Sequence, residues 1–399
     1  MHRLANTKSL VEEGVITQTA ARLIESRSRS TMVTLAINAV LCLGILFATG
    51  GLIFWLADAV LVAVFGLLLL GGGVVILSSG HDLYAMFGKA AALIGAGMLI
   101  GGAGVELADK HEHIAGTVMA LGGAAIATVA AWALTARRLA PRFVTGAVML
   151  MAGTLHLVGV EVLISDARIT GLPVHLFWLY AAGAVALAGW IVDLRVVSAL
   201  AIGPFAQALD TSTAYFHAAY VFYSPEATLS VLQMTLLVLL GLAVARRCDE
   251  RTARHARIHV IMAFIVANLC ALVGSLWGDV VGEHVWGPGA RPAEGVSYDI
   301  WRDQVATFRA SALVIHEHVF SVLWAVVLAG TIFYAAHRNL RGLFNAAVTF
   351  AGLHAYTQVF ETFYDEPLAY VVGGFAAIPL AWGMWRLNTW FMLRHPAQS

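Results

Sequence analysis

Charge is scarce in this chain. Only 12% of its 399 residues are Asp, Glu, Lys or Arg, against 60% hydrophobic residues and a mean hydropathy of +0.79. A soluble domain carries about a quarter charged residues, so a soluble fold is excluded and lipid is the main solvent. Cysteine is nearly absent. Cys42, Cys248 and Cys270 fall in two apolar stretches and one loop, which implies no disulfide framework. Signatures of named chemistry are missing as well: no phosphate-cradling glycine loop after a strand, no nucleophile elbow, no paired cysteines and no HExxH. Lys and Arg number 24, as do Asp and Glu, and no nucleic-acid partner is expected.

What the chain does have is a series of long apolar runs. A helix needs about 20 apolar residues to cross the hydrocarbon core. Spans are expected near 34–57, 59–79, 84–108, 113–136, 142–164, 173–193, 196–222, 226–245, 257–279, 308–336, 341–361 and 367–391. The expected fold is therefore an all-α, polytopic transmembrane helical bundle of about 12 spans. The domains read as a cytosolic amphipathic hairpin over 1–32, a transmembrane bundle over 33–393 with an exterior loop at 280–307, and a cytosolic tail over 394–399.

Charge placement orients this bundle. Lys and Arg in short loops stay cytoplasmic. An N-terminus inside puts 18 of the 24 on that face, with Lys110, Arg168, Arg291, Arg302 and Arg309 outside and Lys89 within a span. Both termini are then cytoplasmic. The stretch 196–222 is the weakest by hydropathy, yet deleting it would export the five-arginine loop from Arg246 to Arg257. Acids show the opposite bias, with 16 of 24 at or beyond the outer face. Such a rim attracts cations, although acids are also free to collect outside because the topology rule binds mainly Lys and Arg.

Residues 1–30 read as two short amphipathic helices broken at Gly14, and no cleavable signal peptide is expected there, since the apolar run begins only after Arg29. Gly97 and Gly101 have the small-xxx-small spacing that lets backbones approach. The opening "LVEEGVITQTAARLI", the third stretch "ALIGAGMLIGGAGVEL" and the closing run from "LFNAAVTFAGLHAYTQVFETFYDEP" to "WGMWRLN" resemble a bacterial polytopic membrane family catalogued as domain of unknown function 2157. The shared features are glycines, aromatics and the Phe360–Glu361 pair. The resemblance implies a bacterial inner (cytoplasmic) membrane and carries no mechanism.

Polar residues inside spans are the best guide to function, because each is expensive in hydrocarbon and normally faces the bundle interior or a wet cavity. At ~1.5 Å per residue, His156, Asp210 and His354 fall about 20 Å in from the cytoplasmic end of their spans, and His316 reaches the same layer from the other side. His354, Gln358 and Glu361 form one stripe at i, i+4 and i+7. Asp210 with His217, Asn268 with Ser275 and Asp279, and Arg309 with His316 form three more. Pro204 marks a helix break beside Asp210 of the kind that lines transporter sites. For any single residue, packing is the commoner role, so the weight rests on their coincidence.

These residues point to an outward-facing His and carboxylate cavity that moves or senses a small cation, a proton or a divalent metal. His156, Asp210, His217, His316, His354, Gln358 and Glu361 line it, and His156, His316, His318 and His354 are the candidate metal ligands. His316 and His318 in "HEH" point some 200° apart on a helix and cannot chelate one ion. The segment "HEHVFSVLWAVVLAGTIFY" looks like the tenth helix of heme-copper oxidases, which opens an alternative reading as a heme- or copper-binding redox protein. The rest of that family's pattern is missing. A scaffold without catalytic activity is a third reading. Asp279, Glu283 and His284, close in sequence, leave room for a periplasmic transferase. Zinc, copper and heme are the cofactors these readings would need. The expected partners are the lipid bilayer and either a second copy or other subunits of a membrane complex.

Overall fold

The computed structural model describes residues 7–56, 58–78, 82–136, 142–211, 224–289, 292, 295–338 and 340–363, with isolated positions between 368 and 386. It is all-helical apart from one two-stranded ribbon. The chain divides into two compact units, Met1–Ile169 and Thr170–Ser399. Eight of the described helices are long and apolar enough to cross a membrane.

The first unit contains α1 (Thr7–Glu12), α2 (Gln18–Leu56), α3 (Ala59–Ser78), α4 (Asp82–Lys110), α5 (Glu112–Thr135) and α6 (Arg142–Asp166). Gly14 stands at φ +71° between α1 and α2, where Val15 N–H returns to the Leu10 carbonyl. The second amphipathic stretch does not stop at residue 32. It continues as a single 39-residue helix into the first apolar run, about 58 Å at 1.5 Å per residue and far longer than a hydrocarbon core.

Glycine sets the helix spacing here. A β-carbon at Gly73 or Gly95 would meet the backbone of Ala92 or Leu70, so α3 and α4 touch main chain to main chain. At Gly123 and Gly159 the same holds between α5 and α6, against the backbone nitrogens of His156 and Ala120. Gly97 and Gly101 instead receive Thr49 and Ile53 of α2.

The second unit contains α7 (Leu172–Val192), α8 (Arg195–Leu200), α9 (Ile202–Gln207), α10 (Ala227–Arg247), α11 (Glu250–Trp277), β1 (Asp279–Val280), α12 (Tyr298–Ser311), β2 (Val314–Ile315), α13 (Glu317–His337) and α14 (Arg341–Phe363). Asp249 caps α11 by accepting from the N–H groups of Arg251 and Thr252. The core gathers Ile202, Ala206, Met234, Ala263, Val266 and Cys270 between α9, α10 and α11. Asp193, Arg246, Arg247, Arg251 and Arg254 collect at one end of the α10–α11 hairpin; Glu226, Asp279, Glu283 and His284 collect at the other.

Two expected spans differ in form. Over 196–222 the chain makes two six-residue helices, α8 and α9, and then a turn with Asp210 at φ +58°, while residues 212–223 lie outside the description. The stretch 308–336 is not one helix. α12 ends at Ser311, β2 crosses to pair with β1, and only then does α13 begin. The eleventh stretch is α14, and most of the twelfth lies outside the described residues.

The glycine contacts make a prediction. Gly159→Ala should lower thermal stability in detergent by about 1–3 kcal/mol through overpacking against α5. Gly153→Ala, on the same helix with nothing within 4 Å of the added carbon, should be neutral or stabilising by up to about 1 kcal/mol. Equal melting temperatures for the two variants would contradict backbone contact at Gly159.

Candidate functional site

A buried ionisable cluster forms where α10 begins and α11 ends. Gly278 leaves α11 at φ +67°, and Asp279 and Val280 pair antiparallel with Ile315 and Val314. The chain then folds back over the first turn of α10. Gly282, at φ +86°, is needed here twice over, because a β-carbon would also run into the Trp286 ring.

Glu226 is the anchor of this fold-back. It precedes α10 and is completely buried. Its carboxylate accepts the N–H of Gly282 at 2.7 Å and of His284 at 2.6 Å, and the His284 imidazole Nδ1 stands 3.6 Å away. That separation is too long for a hydrogen bond and makes an ion pair when the imidazole is protonated. Next to it, Asp279 accepts the Thr228 N–H at 2.8 Å. Glu283, also buried, is held by Arg309 of α12 through contacts of 3.1, 3.1 and 2.7 Å. Behind Glu226, the hydroxyls of Ser224, Ser230 and Thr211 form a buried chain with links of 2.6 and 3.0 Å.

The electrostatics follow from these contacts. His284 is raised from its ordinary 6.5, first by its interaction with Glu226 and against the opposing effect of burial, with Glu283 and Asp210 adding to the rise. For Glu226 the largest single influence is burial, which pushes the carboxyl up, yet His284 and the two backbone N–H groups together outweigh it and hold it below 4.5. Burial raises Asp279 above 3.8 against the Thr228 hydrogen bond, and the nearby Glu226 charge adds to the rise. Two carboxyls of one cluster are thus driven in opposite directions.

Of the residues singled out in the sequence, Asp210 belongs with this cluster through its field at His284. It does so as an exposed turn residue accepting from Gln207, not from a place within a continuous span. His354 and Gln358 lie elsewhere in the unit, on α14. His354 Nε2 donates to the Ser321 carbonyl of α13 at 2.9 Å, and Gln358 donates to Ser275 of α11 at 3.2 Å. Asn268 of α11 accepts from Trp324 of α13. His156 is in the first unit, where its ring meets the Ala120 carbonyl at 2.7 Å. His217 and the side chain of Glu361 lie outside the described residues.

The placement of His316 and His318 is a correction. His316 stands at the residue before α13, so it does not share a helix face with Arg309 and is not part-way down a span. The two imidazoles flank Glu317 at 3.8 and 3.9 Å, with side chains 77% and 88% exposed. Among the described residues no three His, Cys, Asp or Glu side chains gather as a metal-holding set.

Sequence reasoning noticed Asp279, Glu283 and His284 as neighbours and missed Glu226, whose signal was an acid immediately before a long apolar run. A second cluster it missed lies at the arginine end. Asp193, at φ +57°, accepts from His255 Nε2 at 3.0 Å and from Arg254 at 3.2 Å. The other nitrogen of His255 meets the Ser198 hydroxyl at 2.6 Å. The order Asp–His–Ser resembles a catalytic triad, but Ser198 is fully buried and no substrate reaches it. Arg251 stacks on Trp190 and donates to the carbonyls of Trp190 and Ile191. This cluster ties the ends of α7, α8 and α11 together.

The fold and the site together define a helical protein of membrane-spanning type with a buried ionisable cluster at one end of its second unit. Compared with protein-family models, with curated proteins and with solved structures, the chain matches none.

The pKa directions predict a stability profile. Glu226, lowered in the fold, contributes stability that is present above about 4.5 and lost as pH falls through its folded value. His284, raised in the fold, contributes stability that is present below about 6.5 and lost as pH rises through its folded value. The pair therefore stabilises most between those limits. Glu226→Gln removes the main cause of the His284 rise, so the alkaline loss should flatten in melting curves taken across pH. An unchanged alkaline limb would show that another group holds His284.

Proposed function

We propose that the protein is a multi-pass protein of the bacterial inner membrane that moves or senses a small cation, a proton or a divalent metal, at the Glu226–His284 cluster. One observation carries the reading: a glutamate with no solvent exposure, at the head of a membrane-length helix, with a titratable histidine 3.6 Å away. Ionisable groups are kept in such settings mostly where they serve a pathway. Asp279 and Asp210 add negative charge at the same end, which favours cations over anions.

The wider topology belongs to the same proposal. The apolar half of α2, the 196–222 stretch, α14 and 367–391 bring eight spans to about 12, with both termini cytoplasmic. Arg195, Arg246, Arg247, Arg251, Arg254 and Arg257 at one end of the second unit then face the cytoplasm, and Glu226 and His284 face outward. The resemblance of the chain's two ends to a bacterial membrane family supports the inner membrane.

Transport assays test this reading. Proteoliposomes should show proton or zinc flux above protein-free vesicles, and Glu226→Gln should reduce it at least about tenfold, a change of about 1.4 kcal/mol. Flux equal to that of empty vesicles would leave the scaffold reading. Undiminished flux in the variant would move the pathway away from Glu226.

A further inference from the structure

We propose that α12 is an interfacial helix whose partner is the surface of the lipid bilayer at the Glu226 end of the second unit. The inference rests on the membrane-spanning reading and goes beyond cation handling. α12 runs for 14 residues and buries none of them. At 1.5 Å per residue it is about 21 Å long, too short for a hydrocarbon core of about 30 Å. Its residues are nevertheless sorted by face. At about 100° per residue, Tyr298, Trp301, Val305 and Phe308 fall within one arc of about 80°. Asp299, Asp303 and Thr307 occupy the opposite side, and Arg302 and Arg309 border the apolar arc.

The helix is pinned at the level where membrane-length helices stop. Near its start, Trp301 donates its indole N–H to the Gly289 carbonyl at 3.3 Å, and Gly289 belongs to the fold-back that covers Glu226 at the head of α10. Near its end, Arg309 reaches Glu283 in the same fold-back at 2.7 Å. After Ser311 the chain passes directly into β2, whose partner β1 follows the close of α11, and α13 begins just beyond β2. α12 therefore lies beside the ends of α10, α11 and α13.

Protein covers the apolar arc only in part. Trp301, Val305 and Phe308 are half-buried, and Tyr298 is 63% exposed. The open apolar surface continues into that of the spans, since Trp277 at the end of α11 and Leu313 just before α13 are also exposed. Lipid meets each part of this pattern. Trp and Tyr settle at the headgroup level, and exposed Arg302 can lay its stem along apolar surface while its guanidinium reaches a phosphate. The acids of the far side are left in water, as in helices that lie in the plane of the interface. Glu283 stands between Gly282 and His284, whose N–H groups hold Glu226. Through Arg309, the helix that rests on lipid thus also grips the segment that covers Glu226.

Nitroxide labels on full-length protein in lipid nanodiscs test the surface. In a background with Cys42, Cys248 and Cys270 changed to Ala, single labelled variants are Tyr298→Cys and Val305→Cys on the arc, Asp303→Cys opposite, and Leu236→Cys, an exposed position midway along α10. The two arc labels should collide with oxygen in preference to a water-soluble nickel chelate, at a depth of about 5–10 Å into the headgroup and acyl boundary. The label at 303 should read as water and that at 236 as hydrocarbon. Arc labels open to the chelate, with position 236 in hydrocarbon, overturn the proposal and leave the membrane-spanning reading standing. Arc labels shielded from both oxygen and chelate show a protein partner on that face and also overturn it. A chelate-accessible label at 236 removes the membrane-spanning reading and the proposal with it. If the cysteine-free background does not fold, the wild-type chain is irradiated with a phospholipid carrying a diazirine beside its glycerol backbone. Adducts should then map to Trp301, Val305 or Phe308, and adducts confined to the membrane-length helices overturn the proposal.

Discussion

A carboxylate without access to water costs several kcal/mol unless donors and a counter-charge meet it, and at Glu226 that requirement organises one whole end of the second unit. Two of its donors are backbone N–H groups of a segment more than fifty residues away in sequence. Satisfying them forces the chain to leave α11 sharply, which Gly278 and Gly282 permit at positive φ. It also brings Glu283 under cover, so Arg309 must come in from α12 to meet it. Asp279 is held in turn by the first turn of α10. Removing one partner of such a set costs more than any single contact contributes, because the remaining charge is left buried.

The arginine end handles charge differently. Its acid, Asp193, is half-exposed, accepts from His255 and Arg254 with Arg251 3.9 Å away, and is held below its ordinary 3.8 first by the His255 hydrogen bond. Burial's upward push on Asp193 is outweighed there. At the Glu226 end, Asp279 is raised while Glu226 is lowered. Ionisable groups shifted by burial together with a specific partner mark candidate functional sites, whereas a half-exposed ion pair mainly holds helices in register. That contrast makes the Glu226 end the candidate site and gives the other end a fastening role.

Much of the architecture was legible in the apolar runs, because α3 to α7, α10 and α11 are close to what a hydropathy reading marks. The breaks were legible only where the sequence advertises them. Pro204 signalled the interruption between α8 and Asp210, and the chain does turn there. The interruption before α13 carries no such sign: from Tyr298 to Ala329 there is neither glycine nor proline. Its cause is tertiary, since Val314 and Ile315 leave the helix to pair with the strand that Gly278 releases. The same blindness put His316 inside a span. Glu226 escaped notice because its importance lies in the two N–H groups it receives from a distant loop, which spacing along the chain does not register.

Depth in the membrane, taken alone, also proved a weak criterion for the histidines. His156, His175 and His354 each meet a backbone carbonyl, those of Ala120, Ala208 and Ser321. The helical or turn oxygen can only accept, so in every case the bonded ring nitrogen carries the hydrogen and the backbone fixes the ring's tautomer and orientation. Such a bond fastens one element to the next and is sufficient reason for a histidine in an apolar setting. What separates a fastening ring from a working one is the second nitrogen: its burial, the donors within reach, and whether those donors are already committed. Hydropathy and helical phase place the ring but cannot read that nitrogen.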